Sequence, residues 1–164
     1  MAIYLSTVIL LNVEQQMKRK MWIAGIDLQK AFDNIDREFM ISWLQEIGWD
    51  QSWVRCVKSL YEEEIVDLYL GKNKIGSIKR NRGICQGCKL SPLLFVFCMN
   101  RAIDSINSVW KEVSLNLILY ADDALVLASS ERELEEKINV FACCCRDMGL
   151  EMNRNKCECV IVGS

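Results

Sequence analysis

Two apolar runs, Leu115 to Leu119 and Ala124 to Ala128, are separated only by Tyr120-Ala121-Asp122-Asp123. Short apolar segments this close together read as the two strands of a hairpin with acid at its turn. Adjacent carboxylates repel, and in a partly buried turn they lower stability unless a cation compensates. A solvated turn is the plain alternative, because Asp is common in turns. Asp27 argues against it: this residue closes another apolar run, Met21 to Leu28, which can lie beside the hairpin. Three converging carboxylates match the oxygen ligands that Mg²⁺ prefers, and two such ions can clamp the attacking and leaving oxygens of phosphoryl transfer.

The rest of the chain reads as helices mixed with short strands. A helical pattern runs from Ile3 to about Lys20, and the opening apolar stretch Met1 to Val13 reads as a buried helix rather than a targeting segment. Asp33 or Asn34 is the expected N-cap of a helix carrying Phe39, Met40, Trp43, Leu44 and Ile47 on one face and stopped by Gly48. A second helix is expected from Gln51 to Tyr61. Ile65 to Leu70 and Ile75 to Lys79 flank Gly71-Lys72-Asn73-Lys74 as a hairpin, followed by a loop from Arg82 to Lys89. Ser91-Pro92 opens a helix to about Val109, with Leu93 to Met99 buried on most sides. Ser129 or Ser130 caps another, carrying Leu134, Ile138, Phe141, Cys145 and Met148 on one face and ending at Gly149. Leu150 to Met152 and Cys157 to Val162 then read as a closing strand pair. The sum is α+β: an antiparallel sheet with helices packed on one face, in a single domain spanning residues 1–164.

Composition narrows the chemistry. The chain has no histidine, which excludes Ser/His/Asp triads, Cys/His nucleophiles and histidine-ligated zinc. Its 51% hydrophobic content suits a folded core, and its nine cysteines with no secretory signal fit a reducing intracellular compartment, nucleus or cytoplasm, with most thiols serving as small core residues. No segment is expected to cross a membrane. A net charge of −2 is low for an enzyme that grips nucleic acid by itself, since phosphate binding draws on surplus Lys and Arg.

Four segments in order carry a family resemblance. Gly25-Ile26-Asp27-Leu28-Gln29-Lys30-Ala31-Phe32-Asp33 resembles motif A of the reverse transcriptases of non-LTR, LINE-type retrotransposons. Arg82 to Pro92, containing Cys85-Gln86-Gly87-Cys88, resembles motif B; Tyr120 to Asp123 resembles motif C; Gly149 to Asn153 with Lys156 resembles motif D. The resemblance implies a polymerase palm performing two-metal nucleotidyl transfer to a primer 3′-hydroxyl. Asp27 and Asp122 would be the principal ligands of two Mg²⁺ ions, with Mn²⁺ as a possible substitute. Asp123 would support them, and the carbonyl of Ile26 or Leu28 would complete a coordination sphere. Phe32 would be the aromatic gate against a ribose 2′-hydroxyl, with Gln86 and Gly87 lining the nucleotide pocket. Lys156 would donate a proton to pyrophosphate, and Lys30 and Lys89 would contact phosphates. The implied partners are an RNA template, a DNA primer and deoxynucleoside triphosphates.

The family often has arginine where this chain has Cys85 and proline where it has Lys89. Residues 1–20 would be a helix from the fingers/palm junction and 21–164 the palm motifs, with most of the fingers and the thumb expected from a longer polyprotein. Without them the isolated chain is expected to be inactive. Two other enzymatic or non-enzymatic readings compete: a non-catalytic retrotransposon remnant, which template-dependent synthesis by the chain alone would overturn, and an RNA-dependent RNA polymerase palm, which a preference for ribonucleotides would favour. A zinc module built on Cys85, Cys88, Cys157 and Cys159 is a weaker reading that metal analysis would decide.

Overall fold

The computed structural model describes residues 20–110, 117–120 and 123–163. The expected first helix and residues Ala121 and Asp122 lie outside them. Six strands and five helices are described: β1 (Met21–Asp27), α1 (Ala31–Asn34), α2 (Arg37–Glu46), α3 (Gln51–Glu62), β2 (Ile65–Leu70), β3 (Asn73–Lys79), α4 (Ser91–Val109), β4 (Leu117–Tyr120), β5 (Asp123–Ala128), α5 (Glu131–Asp147) and β6 (Glu158–Val162).

Four strands form one antiparallel sheet in the order β4-β5-β1-β6. Strand alternation gives the sheet two different faces. Ala24, Ile26, Ala124, Val126 and Ala128 join the main core, where α4 and α5 contribute Leu94, Phe95, Cys98, Leu134, Phe141 and Cys145. The residues between them, Ile23, Leu125 and Leu127, form a small second cluster. Asp27 and Asp123 continue this second series at the end of β1 and the start of β5. The helices therefore pack against one face, as the sequence predicts, and the acidic residues belong to the other.

Local chemistry explains the helix ends and corrects several expected boundaries. Asp36, rather than Asp33 or Asn34, caps α2: its carboxylate accepts from the Phe39 N–H at 2.9 Å, while Asp33 and Asn34 lie within α1. Ser130 caps α5 by accepting from Glu133 N–H. Pro92 opens α4, but Leu93 and Val96 are about half exposed, so the run 93–99 buries one face instead of most sides. The first hairpin turns at Gly71-Lys72 because Asn73 already pairs with Leu70.

The closing strands also pair differently from expectation. Met152 makes a single bridge to Leu28, and β6 pairs with β1. The sheet edge at β1 offers backbone partners that two short segments joined by a tight turn would lack. Of the nine cysteines, Cys98, Cys144 and Cys145 are buried, whereas Cys56, Cys143 and Cys159 are exposed, so the thiols are not mostly core residues. Burial pushes the thiols of Cys98 and Cys145 up to about 12, which leaves them protonated and inert. No helix among the described residues is long and apolar enough to cross a membrane.

Candidate active site

Antiparallel register brings Asp27 directly opposite Asp123, and Asp123 is in turn paired with Tyr120 on β4. Directly opposed residues project to the same side of a sheet, so the two carboxylates share a face. This position follows from two short apolar runs whose ladders end in acid. Like charges facing each other across strands are destabilising, and a cation between them removes the penalty. An all-carboxylate oxygen set fits a hard divalent ion. Among the described residues no group of three metal-ligating side chains converges, and Asp122 lies outside them.

Lys156 is carried to the same place by the backbone. The Asn153 N–H bonds to the Asp27 carbonyl and the Gln29 N–H to the Glu151 carbonyl, which fastens residues 151–153 beside the end of β1. A turn closed by the Lys156 N–H on the Asn153 carbonyl then returns the chain into β6. Lys156 Nζ stands 3.5 Å from Asp27 Oδ2. With the lysine side chain 66% exposed, this ion pair contributes little stability, but it puts an ammonium group at the carboxylate. Ile26 and Leu28 flank Asp27 with their side chains in the main core, so only their backbone carbonyls are suited to a ligand role.

Phe32 packs face to face on the buried Phe95 of α4, with ring centroids 4.8 Å apart and planes 19° from parallel. Its carbonyl accepts from the Ile84 N–H at 2.7 Å, tying α1 to the loop before α4. Lys30 makes the bend from β1 into α1 with φ +44, a left-handed conformation uncommon for a residue other than glycine. Gln86 is exposed, and its Nε2 lies 3.3 and 3.2 Å from the two oxygens of Asp33. Gly87, at φ +86, has open space around it, and Lys89 is exposed just before α4. The carboxylates and Lys156 thus form one group, and Phe32 and Gln86 a second, joined through Asp33 and the residues 31–36.

A polar network behind this loop was not legible in the sequence. Arg37 donates to the carbonyls of Gly83, Tyr61 and Arg80 and pairs with Glu64, while Arg80 bonds Asp33 at 2.8 Å and lies 3.5 Å from Glu64. Cys85 donates its thiol to Glu64 at 2.9 Å, so the motif-B cysteine braces the loop. Glu64 is the last of three consecutive glutamates, Glu62 to Glu64, at the end of α3; nothing in that run signals which of them takes this role. Burial raises the Glu64 carboxyl, but hydrogen bonds from Cys85 and Arg37 and the charges of Arg37 and Arg80 outweigh it and hold the group below its ordinary value.

A depressed carboxyl contributes stability above its unfolded value of 4.5 and loses it as pH falls through the lower folded value. Glu64→Gln should therefore lower stability near pH 7 by about 2–3 kcal/mol, the scale of breaking a mostly buried pair. Thermal melts across pH should show the gap between variant and parent closing on acidification.

Helices on one side of an antiparallel sheet, with carboxylates at the ends of its two central strands, define a polymerase palm. The match to the family described as reverse transcriptase (RNA-dependent DNA polymerase) extends over residues 5–162. The chain belongs to this family. It is 27% identical over 151 residues to the retrovirus-related Pol polyprotein of the type-1 retrotransposable element R2 from Bradysia coprophila, covering 89% of this chain and 17% of that polyprotein. The R2DM polyprotein of Drosophila melanogaster is also 27% identical, over 143 residues, covering 85% of this chain and 14% of its own length. The chain therefore spans less than a fifth of these curated relatives, and the part it matches is similar to the reverse transcriptase of R2 retrotransposable elements. In fold it is similar to telomerase from Candida tropicalis in complex with a fragment of telomeric RNA, at a TM-score of 0.73 and 11% identity over 95% of this chain and 29% of that one. The apo enzyme truncated from its C-terminal domain gives 0.71 at 13% identity, covering 97% and 35%.

Proposed function

We propose that residues 1–164 form one palm unit that, within a longer polyprotein, extends a DNA primer on an RNA template with deoxynucleoside triphosphates. The cross-strand juxtaposition of Asp27 and Asp123 carries this reading, because it collects carboxylate oxygens where two strands end. Asp27, Asp122 and Asp123 would hold two Mg²⁺ ions, or Mn²⁺ in their place, with a carbonyl of Ile26 or Leu28 as a further ligand. When bound, the ions supply Lewis acidity at the phosphate and lower the cost of charge on the primer 3′ oxygen.

The remaining work belongs to the chain's own side chains. Phe32, braced by Phe95, presents a ring edge to the sugar of the incoming nucleotide and excludes a 2′-hydroxyl. Gln86 and Gly87 line the pocket, the glycine because the absence of a Cβ allows close backbone approach. Lys156, already beside Asp27, supplies a proton to the departing pyrophosphate. Lys30 and Lys89 stand at the rim as phosphate contacts. Fingers and thumb segments elsewhere in the polyprotein supply the positive charge this segment lacks.

The test is primer extension on an RNA template by this segment completed with fingers and thumb. Deoxynucleotides should be incorporated in preference to ribonucleotides, and Asp122→Asn should abolish synthesis. Undiminished extension by that variant would overturn the reading. A preference for ribonucleotides would move the assignment to an RNA-dependent RNA polymerase.

A further inference from the structure

We propose that Asp33 is a positioning residue for the nucleotide pocket, fixing the Gln86 side chain on a carboxylate that Arg80 holds in place. The inference rests on the polymerase reading above and deepens it. Asp33 receives the Gln86 amide on both oxygens, at 3.3 and 3.2 Å, and Arg80 on Oδ1 at 2.8 Å. Arg80 has little freedom of its own. It also donates to the carbonyls of Arg82 and Ile84, and it faces Glu64, which is paired with Arg37.

The chain of fixation thus runs from the part-buried Arg37–Glu64 pair outward to an exposed glutamine. An exposed Gln has several accessible rotamers, and ordering one of them costs free energy when a ligand binds. Asp33 removes that cost beforehand. With Nε2 donating to Asp33, the atom of the Gln86 amide left to meet a ligand is its acceptor, Oε1. The backbone fixes the base of the same unit: the Gly83 N–H bonds to the Ile35 carbonyl and the Ile84 N–H to that of Phe32. Phe32 and Gln86, fifty-four positions apart in the chain, are therefore held in register through Asp33 and its neighbours.

A double-mutant cycle on nucleotide incorporation by the completed polymerase tests this. Asp33→Ala and Gln86→Ala should each raise the deoxynucleotide KM about tenfold, the scale of one charge-assisted hydrogen bond, with the effect in KM rather than kcat. The double variant should be no worse than either single one, because both remove the same interaction. Multiplication to about a hundredfold would overturn the proposal. So would an Asp33→Ala effect on melting temperature with KM unchanged.

A second readout uses the 164-residue chain itself: the side-chain amide resonances of Gln86 should move toward solvent-exposed positions in Asp33→Ala. Asp33→Asn, which keeps an acceptor oxygen and is the fallback if the alanine variant misfolds, should restore part of the shift. Resonances unmoved by both changes would refute the contact. Asp27→Asn separates the two levels. If it abolishes synthesis while the cycle is multiplicative, only the role of Asp33 fails; if synthesis survives it, the polymerase reading fails.

Discussion

Replacing Asp27 with asparagine is expected to reduce primer extension by about a thousandfold or more while leaving the fold intact and slightly more stable. The activity loss follows from charge: asparagine has the shape of aspartate but cannot offer an anionic oxygen to a divalent ion. The stability gain follows from register, since Asp27 lies directly opposite Asp123 and the substitution removes one of two like charges facing each other. Relief of such a pair should contribute roughly 0.5–1 kcal/mol. The lost contact to Lys156 subtracts little, because that lysine is mostly exposed. Opposite signs for activity and stability are what a functional cluster of repelling groups predicts. Extension assays and denaturant melts of the same preparations would check both. A variant that kept its activity, or that lost activity through unfolding, would contradict the account.

Gly83→Ala should destabilise the protein by about 4 kcal/mol or more, a large part of the stability of a domain this size. At φ +75, a Cβ on residue 83 would come within 2.4 Å of the Asp33 carbonyl oxygen and 2.6 Å of that of Phe32. Both belong to the backbone of α1, and the Phe32 carbonyl is already held by the Ile84 N–H, so neither can retreat cheaply. Gly87→Ala is the internal control. Gly87 has a similar dihedral, φ +86, but open space around it, so its substitution should cost only the left-handed strain of about 1 kcal/mol. Equal losses for the two glycines in urea titrations would show that the clash with α1 is not what matters.

The two glycines illustrate how far the sequence reached. Both occur in the motif-B segment, and the resemblance drew attention to Gly87 through its place beside Gln86. Position alone could not show that Gly83 is the one pressed against another element. Asp33 is a similar case: local pattern offered it as a helix cap, while Asp36, three residues on, took that role and left Asp33 facing Arg80 and Gln86.

Apolar periodicity determined the strands β1, β4 and β5, the helices α2 to α5 and the packing of helices on one sheet face, because hydrophobic spacing is a local property that survives in one dimension. The order of motifs determined the family for the same reason. Tertiary structure alone decided that β6 pairs with β1, that Asp123 stands opposite Asp27, and that Arg37, Glu64 and Arg80 brace the loop around Gln86. Those outcomes depend on which backbone edges and charges meet after the chain closes on itself, and partners separated by 16 positions, as Glu64 and Arg80 are, or by 141, as Met21 and Val162 are, leave no periodic trace of that meeting.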